Sequence, residues 1–126
     1  MQAFKIKAFA KWARGEGLSD DALASAVIEM EKGLIDAKLG GQVVKKRVAL
    51  PGRGKRGSTR TLIAFRQGNK AFFIHGFAKN ERANISDKEL RALKMLAKEL
   101  MSYTAAALTK AMKAGELIKI EVNNNG

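Results

Sequence analysis

The chain has 126 residues, 46% of them hydrophobic, with 24 Lys and Arg against 12 Asp and Glu and a formal net charge of +12. That size and mixture support one globular domain with one core, expected over residues 1–122, and exclude a disordered chain. The lack of cysteine excludes disulfides and thiolate metal sites. The single histidine excludes two-histidine ribonuclease chemistry and multi-histidine metal sites, and no apolar run reaches the roughly 18 residues of a membrane span.

The N-terminal stretch is basic and lacks the apolar core of a secretory signal, so a cytoplasmic protein is expected. Residues 4–7 alternate Phe4 and Ile6 with Lys5 and Lys7, the pattern of a short strand. A short helix follows over 8–14 and stops around Gly15 and Gly17. Ser19 is a suitable N-cap for the next helix, with Asp20 and Asp21 in its first turn and Gly33 at its end. Residues 43–50, 59–66 and 70–77 read as three strands. The glycine- and proline-rich stretch 51–57 separates the first two, and Gly68-Asn69 signals a hairpin between the last two. Ser86-Asp87-Lys88-Glu89 is a capping box opening an amphipathic helix, and a further helix starts at Thr104. Residues 117–122 are suited to an edge strand, and 123–126 to a disordered tail. The fold expected is α+β: a small twisted antiparallel sheet, made of a three-stranded meander plus the N-terminal strand. The N-terminal helices pack on one face, and a helical region follows at the C-terminal end.

Charge is concentrated. Residues 42–82 hold eleven basic residues and one acid, Glu81, or +10 of the total +12. Such a field attracts polyanions, nucleic acid first. Strand alternation places Lys45 and Arg47 on one face and Lys46 with Val44 and Val48 on the other. Arg60 and Arg66 share a face with Leu62 and Ala64, and His75 shares one with Phe73 and Phe77. If helices cover only one sheet face, the other is a basic groove for RNA. The loop 52–59 fails as a phosphate-binding P-loop, because Ser58 stands where the motif requires lysine and a strand follows instead of a helix. It reads instead as a basic loop in which Arg53, Lys55 and Arg56 contact phosphodiesters. His75 is either a general acid or base or a packed strand histidine. No carboxylate pair lies in the basic segment, so no metal cofactor is expected.

The stretches VVKKRVALPGRGKRGSTRTLIAF (43–65), GFAKNERANIS (76–86), FAKWARGEGLSDDAL (9–23) and EMEKGLIDAKLGG (29–41) resemble the RelE/HigB-type toxins of bacterial type II toxin–antitoxin systems. The resemblance implies a metal-free, ribosome-dependent endoribonuclease that cuts mRNA by attack of a ribose 2′-OH on the adjacent phosphate. It implies contacts to ribosomal RNA and a cognate antitoxin, often a helix-turn-helix DNA-binding protein. It implies catalytic roles for Arg60 on a central strand and for Arg82 after the last strand, with Lys79 beside it. Lys45, Lys46 and Arg47 lie in the region of the family's strand lysines, with the equivalent position left open. Lys46 and Arg66 join the loop cations as expected RNA contacts. One departure concerns the C-terminal tyrosine or histidine of many members: the only tyrosine, Tyr103, lies at the far end of the capped helix. His75 is the available substitute. The rival readings are a ParE-like inhibitor of DNA gyrase and a non-catalytic RNA- or ribosome-binding module.

Overall fold

The structure, a computed structural model, describes residues 1–50, 58–78 and 85–123. The described elements are β1 (Gln2–Ile6), α1 (Lys7–Glu16), α2 (Asp20–Glu31), β2 (Ala37–Gly40), β3 (Val43–Ala49), β4 (Ser58–Arg66), β5 (Lys70–Ala78), α3 (Asp87–Met101), α4 (Ala105–Lys113) and β6 (Leu117–Ile120). The six strands form one open sheet in the order β2-β3-β4-β5-β1-β6. The fold is α+β. The three-stranded meander is present, with β3–β4 and β4–β5 both antiparallel. β1 departs from the expected antiparallel pattern: it lies parallel to β5 and antiparallel to β6. β2 was not foreseen and hairpins onto β3 through a turn at Gly40 and Gly41.

The helix ends follow local chemistry. The Ser19 hydroxyl accepts from the Ala22 amide, and α1 stops at Gly17, whose φ of 73° suits glycine. Ser86 and Glu89 form the capping box reciprocally at the start of α3.

Both faces of the sheet are covered. On one side α1 and α2 bury Phe9, Leu23, Val27 and Met30 against Val44, Val48, Ile63 and Phe73. On the other, α3 and α4 bury Leu100, Met101 and Leu108 against Phe4, Leu62, Ala64 and Phe72. A basic groove along one entire open face is therefore ruled out. Trp12 of α1 packs flat over Gly76 of β5; a Cβ there would meet the indole at 2.2 Å. No helix among the described residues is long and apolar enough to cross a membrane.

Candidate functional site

The site is set by the register of β3, β4 and β5. Arg47 stands directly opposite Arg60, and Arg60 opposite Phe77. One row along, Lys45 stands opposite Leu62, and Leu62 opposite His75. Directly opposed residues share a face with Cβ atoms about 5 Å apart. Lys45, Arg47, Arg60 and His75 are thus gathered on the α3 side of the sheet, in two adjacent rows.

His75 reaches that face through an irregularity. The β4–β5 pairing shifts between Leu62 and Ile63, so that Ile63 opposes Phe73 while Leu62 opposes His75. Ile74 is the extra residue of a β-bulge. Phe73 consequently packs under α1, and His75 and Phe77 turn to the opposite side, their rings 6.0 Å apart. The expected shared face of Phe73, His75 and Phe77 is corrected by this one residue. Bulges commonly re-aim side chains beside functional sites.

Arg60 is held from behind. Its neighbours Thr59 and Thr61 point to the α1–α2 side, fully buried, and donate their hydroxyls to the carbonyls of Val48 at 3.0 Å and Lys46 at 2.8 Å. These bonds lock the register that sets Arg60 beside Arg47. The Nη1 atom of Arg60 is buried and has no hydrogen-bond partner among the described residues. Like charges directly opposed in a sheet are destabilising, and a buried guanidinium nitrogen without an acceptor costs more. Both features suit an anion bound between the two arginines. Among the described residues the ion pairs are Lys5–Asp20 and Lys46–Glu29, so none engages Lys45, Arg47 or Arg60.

Beside this cluster lies a cavity of about 360 Å³, lined by Leu39, Lys45, Leu62, Phe77, Ile85, Asp87 and Leu90. Its walls are mostly apolar, with one ammonium and one carboxylate. Asp87 and Leu39 were missed by sequence reasoning. In sequence Asp87 reads only as a first-turn acid of α3, and β2, which carries Leu39, had no strand signature.

Two expected RNA contacts do not join the cluster. Lys46 lies on the opposite face, its side chain only 9% exposed, bonded to Glu29 at 2.7 Å and to the Leu34 carbonyl at 2.9 Å. It ties β3 to α2 and is removed from the candidate contacts. Arg66 shares the α3-side parity but stands six residues along β4, about 20 Å from Arg60 at strand rise. Lys79 and Arg82, and the loop cations Arg53, Lys55 and Arg56, lie outside the described residues. Tyr103 is half-buried and lines a cavity with Ile6 and Leu117, to which none of Lys45, Arg47, Arg60 and His75 contributes. No group of three or more His, Asp or Glu able to hold a metal occurs among the described residues.

The family model described as the RelE toxin of the RelE / RelB toxin–antitoxin system matches residues 1–120. The chain belongs to the RelE toxin family. No curated protein matches it. As a RelE-type toxin of a toxin–antitoxin system, the chain has a cognate antitoxin as its partner. The sheet-borne cation cluster is therefore the candidate toxic site of a RelE-family toxin.

Proposed function

We propose that this RelE-family toxin is a ribosome-dependent mRNA endoribonuclease of the cytoplasm, neutralised by a helix-turn-helix antitoxin. The observation that carries the reading is the opposed Arg47–Arg60 pair, with a buried Arg60 nitrogen that lacks a protein acceptor. In the reaction the 2′-oxygen forms a bond to the adjacent phosphorus and the bond to the 5′-oxygen breaks. One proton leaves the 2′-hydroxyl and one is delivered to the departing 5′-oxygen, giving a cyclic phosphate and a 5′-hydroxyl end. The phosphorane between them carries an added negative charge. Arginine forks suit it because each can bind two phosphate oxygens. Arg60 and Arg47 are assigned to this charge. Lys45 and His75, in the neighbouring row, are assigned to proton transfer, since an amine and an imidazole can each carry a proton to or from a reacting oxygen. The family resemblance adds Arg82 and Lys79 to the charge-stabilising set.

The deciding experiment is cleavage of translated mRNA by purified toxin, read by primer extension. Arg60→Ala should lower the rate by about 100-fold or more, the usual loss for one transition-state donor, with a melting temperature no lower than that of the wild type. Cleavage at the wild-type rate would overturn the assignment. Intact mRNA with relaxed or broken plasmid would transfer the protein to the gyrase-inhibitor class.

A further inference from the structure

The α3-side face of β4 carries a second pair of opposed cations. Arg66, at the other end of the strand from Arg60, stands directly opposite Lys70 of β5. Next to Arg66 opens a cavity of about 570 Å³ between the β2–β3 turn and the C-terminal half of α3, which also presents Lys94 and Lys98 to it. Among the described residues, no acidic one lines this cavity.

The turn is built to hold those donors. Gly40, Gly41 and Gln42 all have positive φ, and Gln42, at 65°, is the only non-glycine described with one. Such a conformation in a side-chain-bearing residue is rare and clusters at binding sites. Here it turns the Gln42 amide toward Arg66, whose Nη2 donates to the Gln42 Oε1 at 3.3 Å. The amide oxygen is thus occupied, leaving the Gln42 amide nitrogen as a donor. Gly41 lets the backbone approach the Lys94 stem so closely that a Cβ would sit 3.0 Å from it. The remaining lining groups able to bind a ligand are nearly all donors: two ammoniums, a guanidinium and an amide. That set fits an anion bearing several oxygens. Met95, 74% exposed on the outer surface of α3, adds an apolar contact for a sugar or base.

From the convergence of Arg66, Lys94 and Lys98 on the αL turn at Gln42, we infer a second RNA-binding site. It grips backbone phosphates of RNA outside the segment being cut. The inference rests on the endoribonuclease reading for the identity of the polyanion. The two sites are separated by about 20 Å along β4, and α3 packs over the strand between them. A single short strand cannot lie flat in both, so the second site holds a different stretch of RNA and sets the angle at which the toxin docks.

The test is a salt titration of RNA affinity by fluorescence anisotropy. The probe is a 2′-O-methylated strand that cannot be cleaved, used both single and annealed as a duplex. Each phosphate contact on a single strand adds about 0.7 to the slope of log affinity against log salt. Removing three contacts in Arg66→Ala/Lys94→Ala/Lys98→Ala should therefore flatten the slope by about 2. Between 50 and 200 mM salt the wild type should then lose roughly 20-fold more affinity than the variant. A larger change with the duplex would assign the site to folded RNA, and a larger change with the single strand to unpaired RNA. If the triple variant is misfolded by circular dichroism, Lys94→Gln/Lys98→Gln serves instead, with an expected difference of about 7-fold. Wild-type slopes with both probes would overturn the inference. Because the readout is binding and not cleavage, an inactive wild type would sink the endoribonuclease reading and leave this test intact.

Discussion

Replacing Gly76 by alanine tests how α1 is seated on the strand that carries His75. An added Cβ would lie 2.2 Å from Cζ3 of Trp12 and 2.5 Å from Cε3 and Cη2. Carbon atoms pack at about 3.5–4.0 Å, so the indole must retreat by more than 1 Å. It cannot move inward, because Phe9 lies 5.4 Å away centroid to centroid and is itself packed on Phe73. The ring must swing outward, and losing about 100 Å² of buried apolar surface costs about 2.5 kcal/mol. That agrees with the 1–3 kcal/mol typical of overpacked sites. For a domain of this size the melting temperature should fall by roughly 10 °C. The assay is thermal and urea unfolding of Gly76→Ala alone and in a Trp12→Ala background. With the indole absent, Gly76→Ala should cost less than about 0.5 kcal/mol, since no contact remains to be strained. An equal cost in both backgrounds, or no cost in the single variant, would refute the packing argument.

Lys46→Met should lower the melting temperature by roughly 4–8 °C, because it leaves the Leu34 carbonyl without its charged donor, while RNA affinity measured by anisotropy stays within about twofold of wild type. A loss of RNA binding with unchanged stability would return Lys46 to the interface. His75→Phe should reduce ribosomal cleavage by about 100-fold if the imidazole moves a proton, and cleavage at the wild-type rate would limit His75 to packing against Phe77. Ser86→Ala removes the hydroxyl that accepts from the Glu89 amide, while the backbone amide of residue 86 keeps its bond to the Glu89 carboxylate, and should cost about 1 kcal/mol in urea unfolding; a neutral result would mean that tertiary packing alone sets the start of α3.

Local rules made the meander and the helix caps legible. The strands 43–50, 59–66 and 70–77 stand within a residue or so of β3, β4 and β5, because β-branched runs and turn residues agree there. Ser19 and Ser86 cap as their spacing requires. Alternation also separated Lys45 and Arg47 from Lys46 correctly, since no bulge interrupts β3. It failed at Phe72-Phe73-Ile74: three successive apolar residues carry no period-2 signal, so the bulge was invisible and His75 was placed with Phe73. β2 was missed because four residues ending at a Gly-Gly turn have too little pattern to register. The cover on the second face could not be read, because an amphipathic α3 does not say which sheet surface it meets. The cavity containing Asp87 follows from that docking and was equally hidden.

The placement of β1 has a consequence for how the molecule is made. Ala3 pairs with Ala71 on one side and with Ile120 on the other. β1 therefore waits for β5 to satisfy one of its edges and for β6 to satisfy the other. Pairings so distant along the chain are slow to form, because a long loop must close before any contact is gained. Vectorial synthesis thus keeps the sheet incomplete until β6 has been translated and is free to pair.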